Sequence, residues 1–157
     1  MNEAIPATGP LMTLVYPSIG HAEFGRLLAK YGYDAEAVEE DGRIGYRTLC
    51  VPRFTAWMQT PFEPRPGEFG AIFLFERFQL TESLAAAVVQ AARPRMMFAH
   101  IDMRRNGGFA ATHTLVVSGG ITEYYLRNQL WHWKRDLERI RLEIGVQARR
   151  VLGTTVH

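Results

Sequence analysis

The chain has 157 residues, a length that fits one domain with a full hydrophobic core. Hydrophobic residues make up 47% and charged residues 22%, which is typical of a folded soluble protein. A formal net charge of +2 is too small to indicate nucleic-acid binding by itself, and the single cysteine, Cys50, excludes an intrachain disulfide and a cysteine-based metal cluster.

Neither a membrane span nor a secretion signal is evident in the sequence. No apolar run approaches the roughly eighteen residues that a membrane span requires. The apolar stretch at 11–16 is short and lies between Pro10 and Pro17. We therefore expect a cytoplasmic protein.

Residues 1–17 are rich in proline and predict an irregular N-terminal arm, followed by a single domain at 18–152. The domain begins with a helix at 18–31, and Gly32 follows as a stop signal. Four apolar or aromatic residues share one face of this helix: Phe24, Leu27, Leu28 and Tyr31.

Three strands and a loop are predicted next. Residues 33–40 and 43–51 flank an Asp-Gly tight-turn signal and form a hairpin. Residues 54–60 alternate apolar and polar side chains, as a half-buried strand does. The proline-rich segment at 61–67 is unsuited to a sheet and is the best candidate for a recognition loop.

The strand predicted at 68–78 is apolar on both faces. One face carries Phe69, Phe73 and Phe75, and the other carries Ile72 and Leu74. An antiparallel sheet with one wet face should not contain such a strand. Either one chain covers both faces of the sheet, or another chain covers one of them.

A short helix and a second hairpin complete the middle of the chain. Thr81 is the predicted N-cap of a helix that ends at Ala92 and whose alanines allow another element to approach closely. Residues 95–105 and 109–117 then form a hairpin around an Asn-Gly-Gly turn.

The last element is a long helix at 124–152, opened by a Gly-Gly turn with Thr122 as its N-cap. Gly145 is its weak point. Steps of four and three residues place six apolar side chains along one stripe: Leu126, Leu130, Trp133, Leu137, Ile140 and Ile144. The predicted order is α-β-β-β-β-α-β-β-α, an α+β fold with a single antiparallel sheet and helices.

One cluster in the second hairpin could carry chemistry. A two-residue turn would set His100 opposite His113, with Asp102 on the same face, and such a set could bind zinc or share a proton. A three-residue turn would dissolve the pair. Because no metal-binding or catalytic spacing accompanies these residues, structural histidines are the favoured interpretation, and we expect no catalytic residue, metal or cofactor.

Arginine clusters leave nucleic-acid binding open as an alternative. Arg104 and Arg105 lie at the hairpin tip, and further basic residues follow along the last helix. On that helix Asp136, Glu138 and Glu143 are interleaved with the basic residues, which is typical of a solvated, salt-bridged face. Direct contact with nucleic acid is therefore the weaker prediction.

The element order resembles the YbjN family of sensory transduction regulators, itself similar in fold to type III secretion chaperones. The resemblance covers roughly 18–144 and rests on the end of the first helix, the acidic turn at 39–42, the aromatic strand, the Ala/Val-rich middle helix and the Gly-Gly-Ile-Thr junction. It implies a small cytoplasmic α+β protein, usually dimeric and without enzymatic activity, linked to stress responses or regulation. The chaperone relatives bind extended segments of client proteins.

We therefore predict a homodimeric, non-enzymatic adaptor or chaperone-like module that binds another protein. The alternatives are a nucleic-acid-associated regulator, acting directly or through a DNA-binding partner, and a metal or acid-base site at His100, Asp102 and His113. The residues expected at the dimer interface are Ile72, Leu74, Leu84, Val88 and Val89. The residues expected to contact the client are Trp57, Phe62, Phe69 and Trp131.

Overall fold

The structure of the protein is a computed structural model, which describes residues 15–16, 18–60, 67–105 and 107–153. The helices are α1 (His21–Lys30), α2 (Glu82–Ala92) and α3 (Glu123–Gly153). The strands are β1 (Val15–Tyr16), β2 (Ile19–Gly20), β3 (Ala35–Glu40), β4 (Arg43–Thr48), β5 (Thr55–Gln59), β6 (Glu68–Phe69), β7 (Ala71–Phe78), β8 (His100–Met103), β9 (Phe109–Val116) and β10 (Ile121–Thr122).

Six strands form the main sheet in the order β3-β4-β5-β7-β9-β8, with every neighbouring pair antiparallel. The predicted α+β class and element order are thus confirmed for the helices and the main sheet. The prediction of a single sheet is wrong, because β1 pairs with β10 and β2 pairs with β6 in two further ladders.

The longest helix, α3, is capped at its start and buried along its apolar stripe. Thr122 caps it as predicted, since its Oγ1 accepts a hydrogen bond from the Tyr125 backbone N–H at 3.1 Å. Gly145 lies within the helix and does not end it. Five stripe residues are fully buried against the sheet and α2: Leu126, Leu130, Trp133, Leu137 and Ile140.

The predicted strand at 68–78 is divided at Gly70. The Gly70 carbonyl accepts hydrogen bonds from the backbone N–H groups of Val117 at 2.7 Å and Ser118 at 2.9 Å. As a result Phe69 belongs to β6, which pairs with β2, and its side chain joins the core. Phe69 is thus not part of the strand that carries Phe73 and Phe75, although it lines one cleft with Phe73 and Trp57.

The second hairpin begins later than predicted because a buried carboxylate accepts hydrogen bonds from the backbone N–H groups that precede it. Asp136 on α3 is 0% exposed and accepts hydrogen bonds from the N–H groups of Met97 (3.0 Å), Phe98 (2.8 Å) and Ala99 (2.9 Å). The N–H groups of residues 97–99 therefore bond to a side chain of α3 and not to a neighbouring strand, and β8 starts at His100.

The strands β3 and β8 are the two edges of the main sheet. Glu36, Glu39 and Glu40 of β3 are all exposed, so this edge is lined with carboxylates. Among the helices of the described ranges, none is both long enough and apolar enough to cross a bilayer.

Candidate binding surfaces

The main sheet has one face in the core and one face outside it. Because side chains alternate along a strand, Ile72 and Leu74 of β7 point into the core with α2 and α3, whereas Phe73 and Phe75 point to the other side. We call that other side the open sheet face. It comprises Thr55, Trp57, Phe73, Phe75 and Thr112, and the residues at its margin are Glu40, Arg43, Arg47 and Arg104.

Strand register places the aromatic residues of the open sheet face together. Trp57 is directly opposite Phe73, and Thr55 and Thr112 lie on either side of Phe75. The rings of Phe73 and Phe75 are 6.2 Å apart between centroids, at an interplanar angle of 29°. Both phenylalanines are half-buried, so this row of rings is accessible from outside the chain.

Trp57 is less accessible than its position on this face would indicate. The Arg43 guanidinium lies over the indole, 4.7 Å from the ring centroid, and Trp57 is only 5% exposed. Such cation–π contacts are worth about 0.5–1 kcal/mol at exposed sites. Arg43 also lies 3.8 Å from an Asp41 carboxylate oxygen.

A second group of arginines adjoins the open sheet face at the end of the β8–β9 hairpin. Arg77, Arg104 and Arg105 line one cleft together with Met103, and Arg104 also lines the cleft above Phe75. We call these three residues the hairpin arginine cluster. None of them forms an ion pair with an acidic residue of the described ranges.

A different surface lies where α3 passes the end of the sheet. Cys50, Val51 and Trp131 line a pocket of about 170 Å³ that we call the end pocket. Val51 is 71% exposed and Trp131 is 52% exposed, so large apolar groups surround its mouth. Arg127 and Lys134 provide positive charge at the same site.

Two tyrosines fix the inner wall of the end pocket to α3. The hydroxyl of Tyr31 donates a hydrogen bond to the Glu123 carbonyl at 3.2 Å, and that of Tyr33 donates to the Leu130 carbonyl at 3.1 Å. Burial raises the pKa of both phenols, that of Tyr33 to about 12, with a smaller contribution from a nearby carboxylate in each case. The phenols therefore remain neutral donors at neutral pH.

No model of a known protein family matches the chain, and no curated protein matches it significantly. Among solved structures, the crystal structure of E. coli YbjN, described as a proposed transcription regulator, matches with a TM-score of 0.54. The match covers 89% of this chain and 96% of the YbjN chain, at 16% sequence identity. The chain has the fold of YbjN. The predicted likeness in fold is thereby confirmed.

The YbjN-like fold buries most of the residues expected at a dimer interface. Ile72, Leu74 and Val88 are 0% exposed within one chain, and Val89 is also buried, because α2 and α3 lie directly on this side of the sheet. These four residues are core residues and cannot contact a second copy, so the assignment is corrected. Leu84 is half-buried at the border of the same core.

The residues expected to contact a client are found in different places. Trp131 is exposed at the end pocket, whereas Phe69 is buried in the core, so the assignment of Phe69 is corrected. Trp57 lies on the open sheet face but is covered by Arg43, which leaves little of its ring for a partner. Phe62 lies outside the residues that the structure describes.

The hypothetical site at His100, Asp102 and His113 is not formed. β8 and β9 pair His100 with Thr112, one position away from the predicted register, so His113 points to the opposite face. There its Nε2 donates to Gln129 Oε1 at 3.0 Å, while His100 and Asp102 form an exposed pair at 3.2 Å. Within the described ranges, no group of three or more histidine, cysteine or acidic residues could hold a metal ion.

Three arginines of α3 are paired with acidic residues, as the interleaved acidic residues predict. Arg139 pairs with Asp136 at 3.4 Å, and Arg141 pairs with Glu76 of β7 at 3.2 Å. Arg135 lies 4.0 Å from Glu138. This helix therefore offers fewer unpaired positive charges to an anionic ligand than its arginine content indicates.

Two features of these surfaces were missed at the level of sequence. The predicted strand at 43–51 ends at Thr48, and the sequence does not separate the exposed residues 49–51 from it, because a short apolar run is also typical of a buried strand. Arg77 was not connected with Arg104 and Arg105, although it follows Phe73 and Phe75 at the two-residue period of one strand face.

Proposed function

We propose that the protein is a non-enzymatic regulatory adaptor that binds a segment of another protein at the end pocket. The observation that carries this proposal is the exposed indole of Trp131 beside exposed Val51 at the mouth of a real concavity. Exposed tryptophan is enriched at the centres of protein interfaces. The proposal keeps the cytoplasmic location predicted from the sequence.

The size of the end pocket fits one side chain better than a substrate. Ligand pockets usually span about 300–1,000 Å³, whereas a cavity of about 150 Å³ holds one benzene ring. At about 170 Å³, the end pocket can accept one large apolar side chain of a partner. The lining includes Cys50 and Asp34. It contains no histidine that could act as a base beside them.

Charge at the rim favours a particular kind of segment. Arg127 and Lys134 line the pocket, and the Arg135 guanidinium lies 5.6 Å from the centroid of the Trp131 ring. Asp34 is the acidic residue of the lining. The preferred partner segment therefore has an apolar or aromatic anchor flanked by acidic residues.

The likeness in fold to YbjN, described as a proposed transcription regulator, supports a regulatory role. It does so by analogy of fold, which is compatible with many activities. The choice of an adaptor over an enzyme therefore rests on the end pocket itself.

The test compares partner capture by the wild type, Trp131→Ala and Tyr124→Ala. Tyr124 is also an exposed aromatic residue of α3 but does not line the pocket, so it is a matched control. We expect a partner recovered from native cells by wild type and Tyr124→Ala to be lost with Trp131→Ala, and binding of the purified partner to weaken at least tenfold. Equal binding by all three proteins would refute the proposal.

Cys50 provides an independent readout because it is the one cysteine of the chain and lines the end pocket. The bound partner should slow maleimide labelling of Cys50 in the wild type. Labelling beforehand should block binding, and Cys50→Ser should bind normally and resist that block. Unchanged labelling rates in the complex would place the partner elsewhere.

We also propose that the protein self-associates, although not through the core residues first expected. Support comes from Leu142 of α3, which is exposed and shares a shallow pocket with Met96. Light scattering of the wild type should give the mass of a dimer, and Leu142→Glu should give that of a monomer. A wild type that is monomeric at high micromolar concentration would refute this part.

A further inference from the structure

The open sheet face and the hairpin arginine cluster form one continuous surface, because Arg104 lines both of its clefts. The clefts have volumes of about 420 and 430 Å³. One presents aromatic rings and the other presents cationic groups. We propose that this surface binds single-stranded nucleic acid, with bases stacked on Phe73 and Phe75 and phosphates held by Arg77, Arg104 and Arg105.

The aromatic part provides a platform for planar bases. Phe73 and Phe75 lie side by side on β7, 6.2 Å apart between ring centroids. Their neighbours on β9 are Thr114 and Thr112, whose side chains are much smaller than the rings. Stacking of a base on an aromatic side chain contributes about 1–3 kcal/mol and tolerates every base.

The cationic part provides the phosphate contacts. Arg77, Arg104 and Arg105 have no acidic partner among the described residues, in contrast to Arg47, which pairs with Glu40 at 2.5 Å. An arginine side chain can hold a phosphate through two parallel hydrogen bonds. Three guanidinium groups without an acidic partner in the described ranges, beside an aromatic row, therefore match a chain of phosphates better than a single small anion.

Other occupants fit this surface less well. A duplex keeps its bases stacked inside, so the phenylalanine rings would find no partner. An acidic polypeptide would satisfy the arginines, but it lacks a regular succession of planar groups for two adjacent rings. A second copy of this chain would bring its own arginine cluster to the same interface, at a cost in like-charge repulsion.

The experiment measures fluorescence anisotropy of labelled oligothymidine and oligouridine of about 12 nucleotides, and of a duplex of equal length, over about 50 to 200 mM salt. We expect the wild type to bind the single strands and to bind the duplex more weakly. The Arg104→Gln/Arg105→Gln double variant should bind less tightly and lower the slope of log K against log salt by about 1.4, or about 0.7 per lost phosphate contact.

The matched control, Arg149→Gln/Arg150→Gln, removes the same charge from α3 and should leave the slope unchanged. Phe75→Ala should weaken binding about tenfold at every salt concentration, and Phe75→Tyr should retain it. Circular dichroism of each variant tests whether it is folded. Trp131→Ala should have no effect, which separates this surface from the end pocket.

Four results would overturn the proposal. They are no binding of single strands by the wild type at the lowest salt concentration, equal losses from the two double variants, displacement of the oligonucleotide by polyglutamate at equal charge, and a dimer that Phe75→Ala converts to a monomer. The third result would indicate a general polyanion surface, and the fourth would assign the face to a second copy of the chain.

Discussion

The two faces of the six-stranded sheet are made by the same strands and differ in what lies over them. In β7, Ile72 and Leu74 are 0% exposed under the helices, whereas their neighbours Phe73 and Phe75 remain half-buried on the other side. Both pairs are large and apolar, so hydrophobicity does not distinguish the faces. The position of α2 and α3 does, and it assigns one face to stability and leaves the other for contacts.

The largest expected effect is on the covered side, where Asp136 holds three backbone N–H groups. Asp136→Ala leaves these buried donors without an acceptor and should lower the free energy of unfolding by about 4 kcal/mol. Urea unfolding followed by circular dichroism measures the change. Glu36→Ala, at the exposed sheet edge, is the control and should change stability by less than about 0.5 kcal/mol.

A direct comparison of the faces uses neighbouring residues of β7. Leu74→Ala should cost about 3 kcal/mol, because it opens a cavity in the core. Phe73→Ala should cost only about 1 kcal/mol, since the ring is already partly in contact with water. Equal losses in the same urea experiment would mean that the open sheet face is covered in solution.

Glu76, at the border of the covered face, should make the stability of the protein depend on pH. Burial raises the pKa of the Glu76 carboxyl from 4.5 to about 7, although Arg141 and Arg53 oppose the shift. A carboxyl with a raised pKa contributes stability that is fully present below about pH 4.5 and is lost as the pH rises through about 7. The loss should be about 1 to 2 kcal/mol after allowance for solvent screening.

Urea midpoints measured at intervals across this range test the effect. Relative to Glu76→Gln, which cannot ionise, the wild type should lose stability as the pH rises. Glu82→Gln, an exposed carboxyl in the first turn of α2, is the control and should follow the wild type. A difference that grows in the opposite direction would show that the Arg141 pair, at 3.2 Å, dominates over burial.

The smallest expected effect is on the open sheet face. Arg43→Gln removes the cation that lies 4.7 Å from the Trp57 ring centroid and should cost about 0.5 kcal/mol. It should also uncover the indole, so acrylamide should quench more of the tryptophan fluorescence. Unchanged quenching would mean that other groups shield Trp57.

The helices and the sheet order could be predicted because local signals agree there. The stripe of α3 repeats at three and four residues, and Asp41 and Gly42 adopt the positive φ angles, 52° and 72°, that a tight hairpin turn requires. Each of these signals depends on residues close together in the chain. The structure therefore confirms the order of the principal elements.

The residues that form each surface depend on contacts between distant parts of the chain, and they were predicted less well. A strand that is apolar on both sides does not show which side the helices will cover, so the sequence predicts Ile72 and Leu74 at an interface although they lie in the core. The register of β8 and β9 depends on how the chain turns between them, where the Arg104 N–H donates a hydrogen bond to the Gly108 carbonyl at 3.1 Å. The observed register differs from the predicted one by one residue. His113 therefore lies on the opposite face, and the predicted histidine pair is not formed.

The acidic edge strand β3 has a consequence for the behaviour of many copies together. An exposed strand edge is a template on which further strands of other molecules can grow into fibres. Glu36, Glu39 and Glu40 would place three carboxylates against each incoming copy of the same strand. Repulsion between them blocks this templated growth, and replacing all three with threonine should make concentrated solutions prone to fibril formation.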